Sequence, residues 1–231
     1  MPIVCRIERY AHFQNPLVEY GPLETMMRVG LPPDLDTRFA QAGIAIIEYA
    51  LTAADLTEMD RAFPVVPPGA AGARAADVAP DDFGWLAEHS VLAALAERLG
   101  GEPLHLVRAL ALDKSPSANW FVPWHQDRAD DNSERPADVL ARIVTLRLHL
   151  DDCGEDNGPL EVLPGTHLAG RIARTDVARL TESAEPLLCL AARGDILAMR
   201  PLLLHRSQRA RKPQARRILH LEWGPAVQRT M

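Results

Sequence analysis

Three cysteines, Cys5, Cys153 and Cys189, are spread over 231 residues. Their odd number, wide spacing and lack of any Cys-x-x-Cys argue against a disulfide scaffold or a zinc finger, and for reduced thiols in a cytoplasmic protein. No apolar run approaches the roughly 20 residues that span a bilayer. The first twenty residues interleave Arg6, Glu8, Arg9, His12 and Glu19, so no signal-peptide core is expected there. Positive charge is also in deficit. A net charge of −6 leaves no general attraction for nucleic acid or for an anionic membrane surface. Basic residues bunch between Arg206 and Arg217; most of them read as a solvated loop. No internal repeat is visible.

What remains is the composition of one globular domain over 1–231, with 47% hydrophobic and 24% charged residues. The 19 prolines cluster outside the apolar runs, which favours a loop-rich β architecture. Residues 1–36 read as irregular, and Phe39 to Tyr49 as a short strand. Thr52 to Asp55 resembles a capping box opening a helix to about Phe63. Residues 64–81, rich in Pro, Gly and Ala, read as a flexible loop and a candidate lid. Ser90 is placed to cap a helix over Val91–Leu99, closed by Gly100-Gly101.

Beyond that the pattern turns to strands: Leu104–Leu112, Ile143–Leu150, Leu160–Leu163, Leu187–Leu190, Ile196–Met199 and Ile218–Trp223. Helices first and strands after predict an α+β, mainly β chain, with a helical cover (37–103) packed on one outer face of a β core (104–225).

The strongest local signal is Pro123-Trp124-His125-Gln126-Asp127. In an extended segment residues i and i+2 share a side, so His125 and Asp127 can aim a nitrogen and an oxygen at one point. One distant histidine would complete two His and one carboxylate on one face of a metal, the non-haem iron arrangement. Such a pair arises often by chance, and His105, His149, His167, His205 and His220 are all candidates for the third position. His205 is set apart by what surrounds it. It follows the turn and strand Gly194 to Met199, and Arg216 comes eleven residues after it at the head of the final strand. An arginine there can grip a dicarboxylate in bidentate fashion. Arg216 and Arg217 point to opposite sides of that strand, so only one can enter a barrel.

These residues resemble the phytanoyl-CoA dioxygenase family over roughly Phe39 to Trp223. The likeness rests on Trp124-His125-Gln126-Asp127, on Asp156-Asn157-Gly158-Pro159-Leu160 with Leu163-Pro164-Gly165-Thr166-His167, on Gly194-Asp195 through His205, and on Arg216. It implies a double-stranded β-helix of the jelly-roll or cupin type, iron(II) on His125, Asp127 and His205, and 2-oxoglutarate with its far carboxylate on Arg216. It also implies O2 as a reactant, a small-molecule substrate, and release of succinate and CO2 with hydroxylation or related oxidation of a C–H bond. Asp127 argues against halogenation, because related halogenases carry a small residue at that position. The segment Asn157-Gly158 separately reads as a tight hairpin turn.

One strand needs a choice of faces. Val144, Leu146, Leu148 and Leu150 alternate with Thr145, Arg147 and His149. The aliphatic set suits packing under the helices, which turns the polar set into the barrel. Arg147 falls where relatives often place a tryptophan lining the cosubstrate pocket. Arg147 and Thr145 are therefore expected near 2-oxoglutarate, with a substrate acid as the other partner open to Arg147. Lys114 and Asn119 read as a solvated turn, or as cosubstrate contacts. Two rival readings are a non-catalytic cupin-like metal-binding protein and a zinc hydrolase; the latter needs a general base beside the metal, and the sequence places neither Glu161 nor Glu222 clearly in that role. Substrate selection is expected from segments 64–84, 128–142 and 168–184.

Overall fold

The structure, a computed structural model, describes residues 34–68, 75–78, 80–127 and 136–225. Of the expected irregular N-terminal segment, residues 1–33 lie outside these. Helix α1 (Leu35–Ala42) begins at its end, burying Leu35 and Phe39 one turn apart on a single face. Gly43 closes the helix in the left-handed conformation (φ 74°), and a Cβ there would strike the His167 ring. The expected strand Phe39–Tyr49 is thus helix as far as Ala42, and only β1 (Ile44–Ile47) is extended.

Helix α2 (Ala53–Ala62) opens with the expected capping box. Asp55 N–H donates to Thr52 Oγ1 at 3.1 Å, and Thr52 N–H to the Asp55 carboxylate at 2.8 Å. The expected loop 64–81 is not structureless: it contains strand β2 (Ala75–Asp77) and the start of helix α3 (Pro80–Ala87). Positions 69–74 and 79 of that loop lie outside the described residues. Helix α4 (Ser90–Gly100) is N-capped by His89, not Ser90, and ends at Gly101.

The rest is mainly β: β3 (His105–Lys114), β4 (Val122–His125), helix α5 (Ala137–Arg142), β5 (Val144–His149), β6 (Leu160–Leu163), helix α6 (Arg174–Ser183), β7 (Leu187–Cys189), β8 (Ile196–Met199), β9 (Leu204–Ser207) and β10 (Arg216–Gly224). The strands form a six-stranded sheet, β1-β8-β5-β10-β3-β2, and a four-stranded one, β4-β9-β6-β7. Leu197 and Met199 of the larger sheet pack with Leu160, Val162 and Cys189 of the smaller. Two antiparallel sheets closed face to face in this way make a double-stranded β-helix.

The outer face of the larger sheet carries Leu146, Leu148, Leu150, Leu219 and Leu221, all fully buried in one cluster with Phe39, Met59, Leu86, Leu92 and Leu95 from the helices. Each such side chain stabilises the fold by about 1.5–3 kcal/mol through burial. The aliphatic face of β5 therefore lies under the helices, and Arg147 turns to the barrel cavity. The cover segment 37–103 has one further role: it supplies both edge strands, β1 and β2, of the larger sheet.

Asn157-Gly158 is a turn but not a hairpin. Its strands belong to different sheets, so the turn carries the chain across from β5 to β6. Gly158 sits at φ 62°, and a Cβ on it would lie 2.5 Å from the Gln208 carbonyl oxygen. Left-handed strain and that backbone clash together predict a loss of roughly 2 kcal/mol or more in Gly158→Ala. Chemical denaturation measures it; an unshifted midpoint would show that the crossing relaxes freely.

Candidate metal centre and cosubstrate pocket

Strand pairing sets His125, at the end of β4, directly opposite His205 on β9. Asp127 follows, its N–H fixed to Pro201 O at 2.8 Å. Between the two, Gln126 acts as a clamp. Its Nε2 donates to Leu202 O (2.6 Å) and Gly170 O (2.8 Å), and its Oε1 accepts from Ile172 N–H (2.9 Å). A glutamine tied to three backbone groups leaves its neighbours no freedom to turn, which gives the middle residue of the motif a purely mechanical task.

Each histidine is aimed by its own backbone. His125 Nδ1 lies 2.8 Å from Pro123 O, and His205 Nδ1 lies 2.8 Å from Leu203 O. A proton on each Nδ1 leaves each Nε2 with its lone pair. Those Nε2 atoms face one carboxylate oxygen, Asp127 Oδ1, at 3.6 and 3.4 Å. One ligand atom from each of the three residues lies within 4.8 Å of the others, and this is the one such group among the described residues. Asp127 Oδ2 is buried and finds no hydrogen-bond partner among them.

Burial raises the Asp127 carboxyl, but the neighbouring imidazoles, His205 first and then His125, outweigh it and hold the group well below its usual value. For His205 burial dominates and pushes the imidazole down; for His125 burial is overcome by Asp127, and the imidazole rises. Two converging imidazole lone pairs and an ionised, orphaned carboxylate are the donor set of a facial two-histidine, one-carboxylate metal site, so the residues fit iron(II).

A cavity of about 250 Å³ runs from this group along the inner face of β3 and β10. Register divides its wall into rungs. Lys114 pairs with Arg216, Leu112 with Ile218, Leu110 with His220 and Arg108 with Glu222. Strand β5 continues the rungs, with Arg147 beside His220 and Thr145 beside Glu222.

The Lys114–Arg216 rung is strongly cationic. Lys114, 2% exposed, donates to Ser207 Oγ at 3.1 Å and Gln208 O at 2.7 Å. Burial and the neighbouring Arg216 charge bring its ammonium down to about 7. Arg216 donates to Gly158 O and to Ser207 Oγ, and its buried Nε has no partner among the described residues. Arg147 donates to His220 Nδ1 at 3.2 Å; burial first, then Arg216, lowers its guanidinium to about 10. Register sets it beside His220, two rungs from Arg216, and its charge interacts with both Arg216 and Asp127. Buried cations held down in this way call for a bound anion, and a dicarboxylate reaching from the metal to Arg216 would meet all three.

Three readings from sequence change. Thr145 is not among the residues that line the cavity, and the register sets it beside Glu222, three rungs from Arg216. Lys114 is no solvated turn but the buried end of β3. Its signal was the alternation Arg108, Leu110, Leu112, Lys114, which continues the strand past Leu112. Asn119 is a scaffold residue, clamping Ala210 by both its amide donor and acceptor. Of the other histidines, His167 bonds Ala40 O, remote from the metal group. Glu161 is taken by Arg206 at 2.9 and 2.6 Å and stays off the cavity wall, leaving a zinc hydrolase without that base. Sequence reasoning missed Ser207 and Arg108, and weighed Glu222 only as a hydrolase base, whereas all three line the cavity.

Fold and donor set together define a double-stranded β-helix protein with a candidate non-haem metal site. A family model of phytanoyl-CoA dioxygenase matches residues 39–218, and the chain belongs to that family. It is 35% identical over 88 residues to an L-proline trans-4-hydroxylase of Streptomyces griseoviridis, a match spanning 36% of this chain and 31% of that protein. Among solved structures, the non-heme alpha ketoglutarate dependent carbocyclase SnoK from nogalamycin biosynthesis superposes with a TM-score of 0.70 at 16% identity, covering 86% of this chain and 85% of its own. EctD from S. alaskensis with 2-oxoglutarate and 5-hydroxyectoine gives 0.68 at 18% identity, over 84% and 76% of the two chains. No described helix is long and apolar enough to cross a membrane.

Proposed function

We propose that the protein is an iron(II)- and 2-oxoglutarate-dependent oxygenase that hydroxylates, or otherwise oxidises, an unactivated C–H bond of a small molecule. One observation carries this reading: a His125–Asp127–His205 group and a Lys114–Arg216 cationic rung line the same cavity. When bound, iron supplies activation of O2, coupled to conversion of 2-oxoglutarate to succinate and CO2 and to oxidation of the substrate.

The chain's own residues do the rest. His125, Asp127 and His205 hold the metal by one face. Arg216, helped by Lys114 and Ser207, grips the far carboxylate of 2-oxoglutarate, and Arg147 flanks the cosubstrate nearer the metal. The apolar rung Leu112–Ile218 excludes water along its carbon chain. Asp127 keeps its carboxylate on the metal, which supports oxidation over halogenation. Substrate choice falls to segments 64–84, 128–142 and 168–184, with the inner ends of β3 and β10.

The test is succinate formation from 2-oxoglutarate by purified protein. It is expected to require added iron(II) and O2 and to stop on chelation. Iron retained at the site with no succinate formed under any substrate would instead support the cupin-like binding protein.

A further inference from the structure

Three buried basic side chains share the cavity, and one of them can give its charge away. Lys114 and Arg216 pair across β3 and β10, and Arg147 lies two rungs on, beside His220. None of the three is more than 8% exposed. Their described hydrogen bonds end on Ser207 Oγ, Gln208 O, Gly158 O, Cys153 Sγ and His220 Nδ1, with no carboxylate among them. Like charges held together away from water are costly, and the cost is relieved when one group becomes neutral. A guanidinium keeps its proton in such a setting, whereas a buried lysine readily sheds it. Of the three, Lys114 is therefore the side chain through which the empty cavity loses charge.

The hydrogen-bond count agrees. Lys114 Nζ has two acceptors, Ser207 Oγ at 3.1 Å and Gln208 O at 2.7 Å. The two N–H groups of a neutral amine fill both. Ser207 Oγ gives its own proton to Gly158 O at 3.0 Å, so it meets Lys114 as an acceptor. The third N–H of an ammonium is left for the cavity, where the Trp120 ring, its centroid 5.4 Å from Nζ, is a weaker partner than a carboxylate.

Arg216 on β10, Arg147 on β5 and Cys153 before the Asn157 turn are the charged or titratable groups that bear on Lys114. Ser207 and Gln208, on the β9 side, offer it uncharged acceptors. Strand β2, paired with β3, brings Asp77, which Arg108 holds at 3.1 Å. His149, near both arginines, is drawn down by burial to about 3 and stays neutral. Lys114 itself is drawn to about 7, by burial first and then by Arg216.

We propose that 2-oxoglutarate binding carries a proton onto Lys114: the side chain is an amine in the empty cavity at mildly alkaline pH, and an ammonium once the far carboxylate of the cosubstrate lies against it and Arg216. The proton comes from solvent, adds to the Nζ lone pair and leaves again when the dicarboxylate leaves. The identity of that anion rests on the oxygenase reading. Below about pH 7 Lys114 is charged before binding, and affinity is level with pH. Above it each binding event draws a proton from solvent, so affinity falls as pH rises, by up to about tenfold per pH unit.

The experiment titrates 2-oxoglutarate anaerobically into the full chain loaded with iron(II). Calorimetry in buffers of different ionisation heat counts the protons taken up, with no turnover. Uptake of about one proton is expected at pH 8.5 and little at pH 6. Lys114→Met is expected to take up none, to bind about tenfold or more weakly than the unaltered protein at pH 6, and to lose the pH dependence. Cys153→Ser, which removes the thiol beside Arg216, is expected to keep the uptake. Unfolding curves check that each variant folds, and the proton count on the unaltered protein stands without them. Binding with no proton uptake at pH 8.5, or an uptake that survives in Lys114→Met, overturns the inference alone. Failure of the oxygenase reading is distinct: it shows as no binding of 2-oxoglutarate at any pH, and it removes both.

Discussion

Asp127→Ala leaves a folded protein that does not retain iron, and its 2-oxoglutarate turnover falls by on the order of a thousandfold, equivalent to about 4 kcal/mol of barrier. Both imidazole Nε2 atoms face the Asp127 carboxylate, so its removal takes the one anionic donor from the site. Two neutral imidazoles hold a divalent cation poorly. The backbone stays in place, because its anchors are the Gln126 clamp and the Asp127 N–H to Pro201 O, and neither uses the carboxylate. His205→Ala has the same outcome for the same reason. His167→Ala does not, since that ring bonds Ala40 O outside the metal group. Metal content after gel filtration is the measurement. Full iron in Asp127→Ala, or lost iron in His167→Ala, would overturn the ligand assignment.

The metal group was legible because its signal is local. His125 and Asp127 sit two apart, and an extended backbone turns that spacing into a shared side without knowledge of the rest of the fold. Arg216 was legible for a similar reason, as the head of an apolar strand. The alternation of β5 gave both faces once the helices required an apolar floor. What escaped depended on register between distant strands. Nothing near Lys114 says that it pairs with Arg216 across β3 and β10, 102 residues on. Thr145 shares a face with Arg147, yet it sits beside Glu222, and only the pairing tells which rung lies nearest Arg216. The helix α1 was missed because its buried stripe begins at Leu35, inside a segment that proline made look irregular. Helix α6 escaped because its residues are mostly polar and its apolar side chains Val177 and Leu180 are only partly buried.

Arg216→Ala raises the Michaelis constant for 2-oxoglutarate by about 30-fold to several thousandfold, while Arg217→Ala leaves it within twofold. The range follows from the roughly 2–5 kcal/mol lost when one partner of a buried charge pair is truncated. Arg216 is 6% exposed and faces the cavity beside Lys114 and Ser207. Arg217, one residue on, faces the other way. It pairs with Asp151 at 2.7 and 2.9 Å and with Asp60 at 3.0 Å, near the ring of Phe63. Those partly exposed pairs contribute on the order of 1 kcal/mol to stability, so Arg217→Ala shows itself in the denaturation midpoint and not in cosubstrate affinity. Arg147→Leu is expected between the two. Its guanidinium flanks the cosubstrate path but leaves the Arg216–Lys114 grip intact. The split between constants adds a second check. On the proposed assignment Arg216 binds a group remote from the bond being broken, so turnover at saturating 2-oxoglutarate is expected to survive better than affinity does. A comparable rise in Arg216→Ala and Arg217→Ala, or a collapse of turnover with unchanged affinity in Arg216→Ala, would mean that the dicarboxylate is not held on this face of β10.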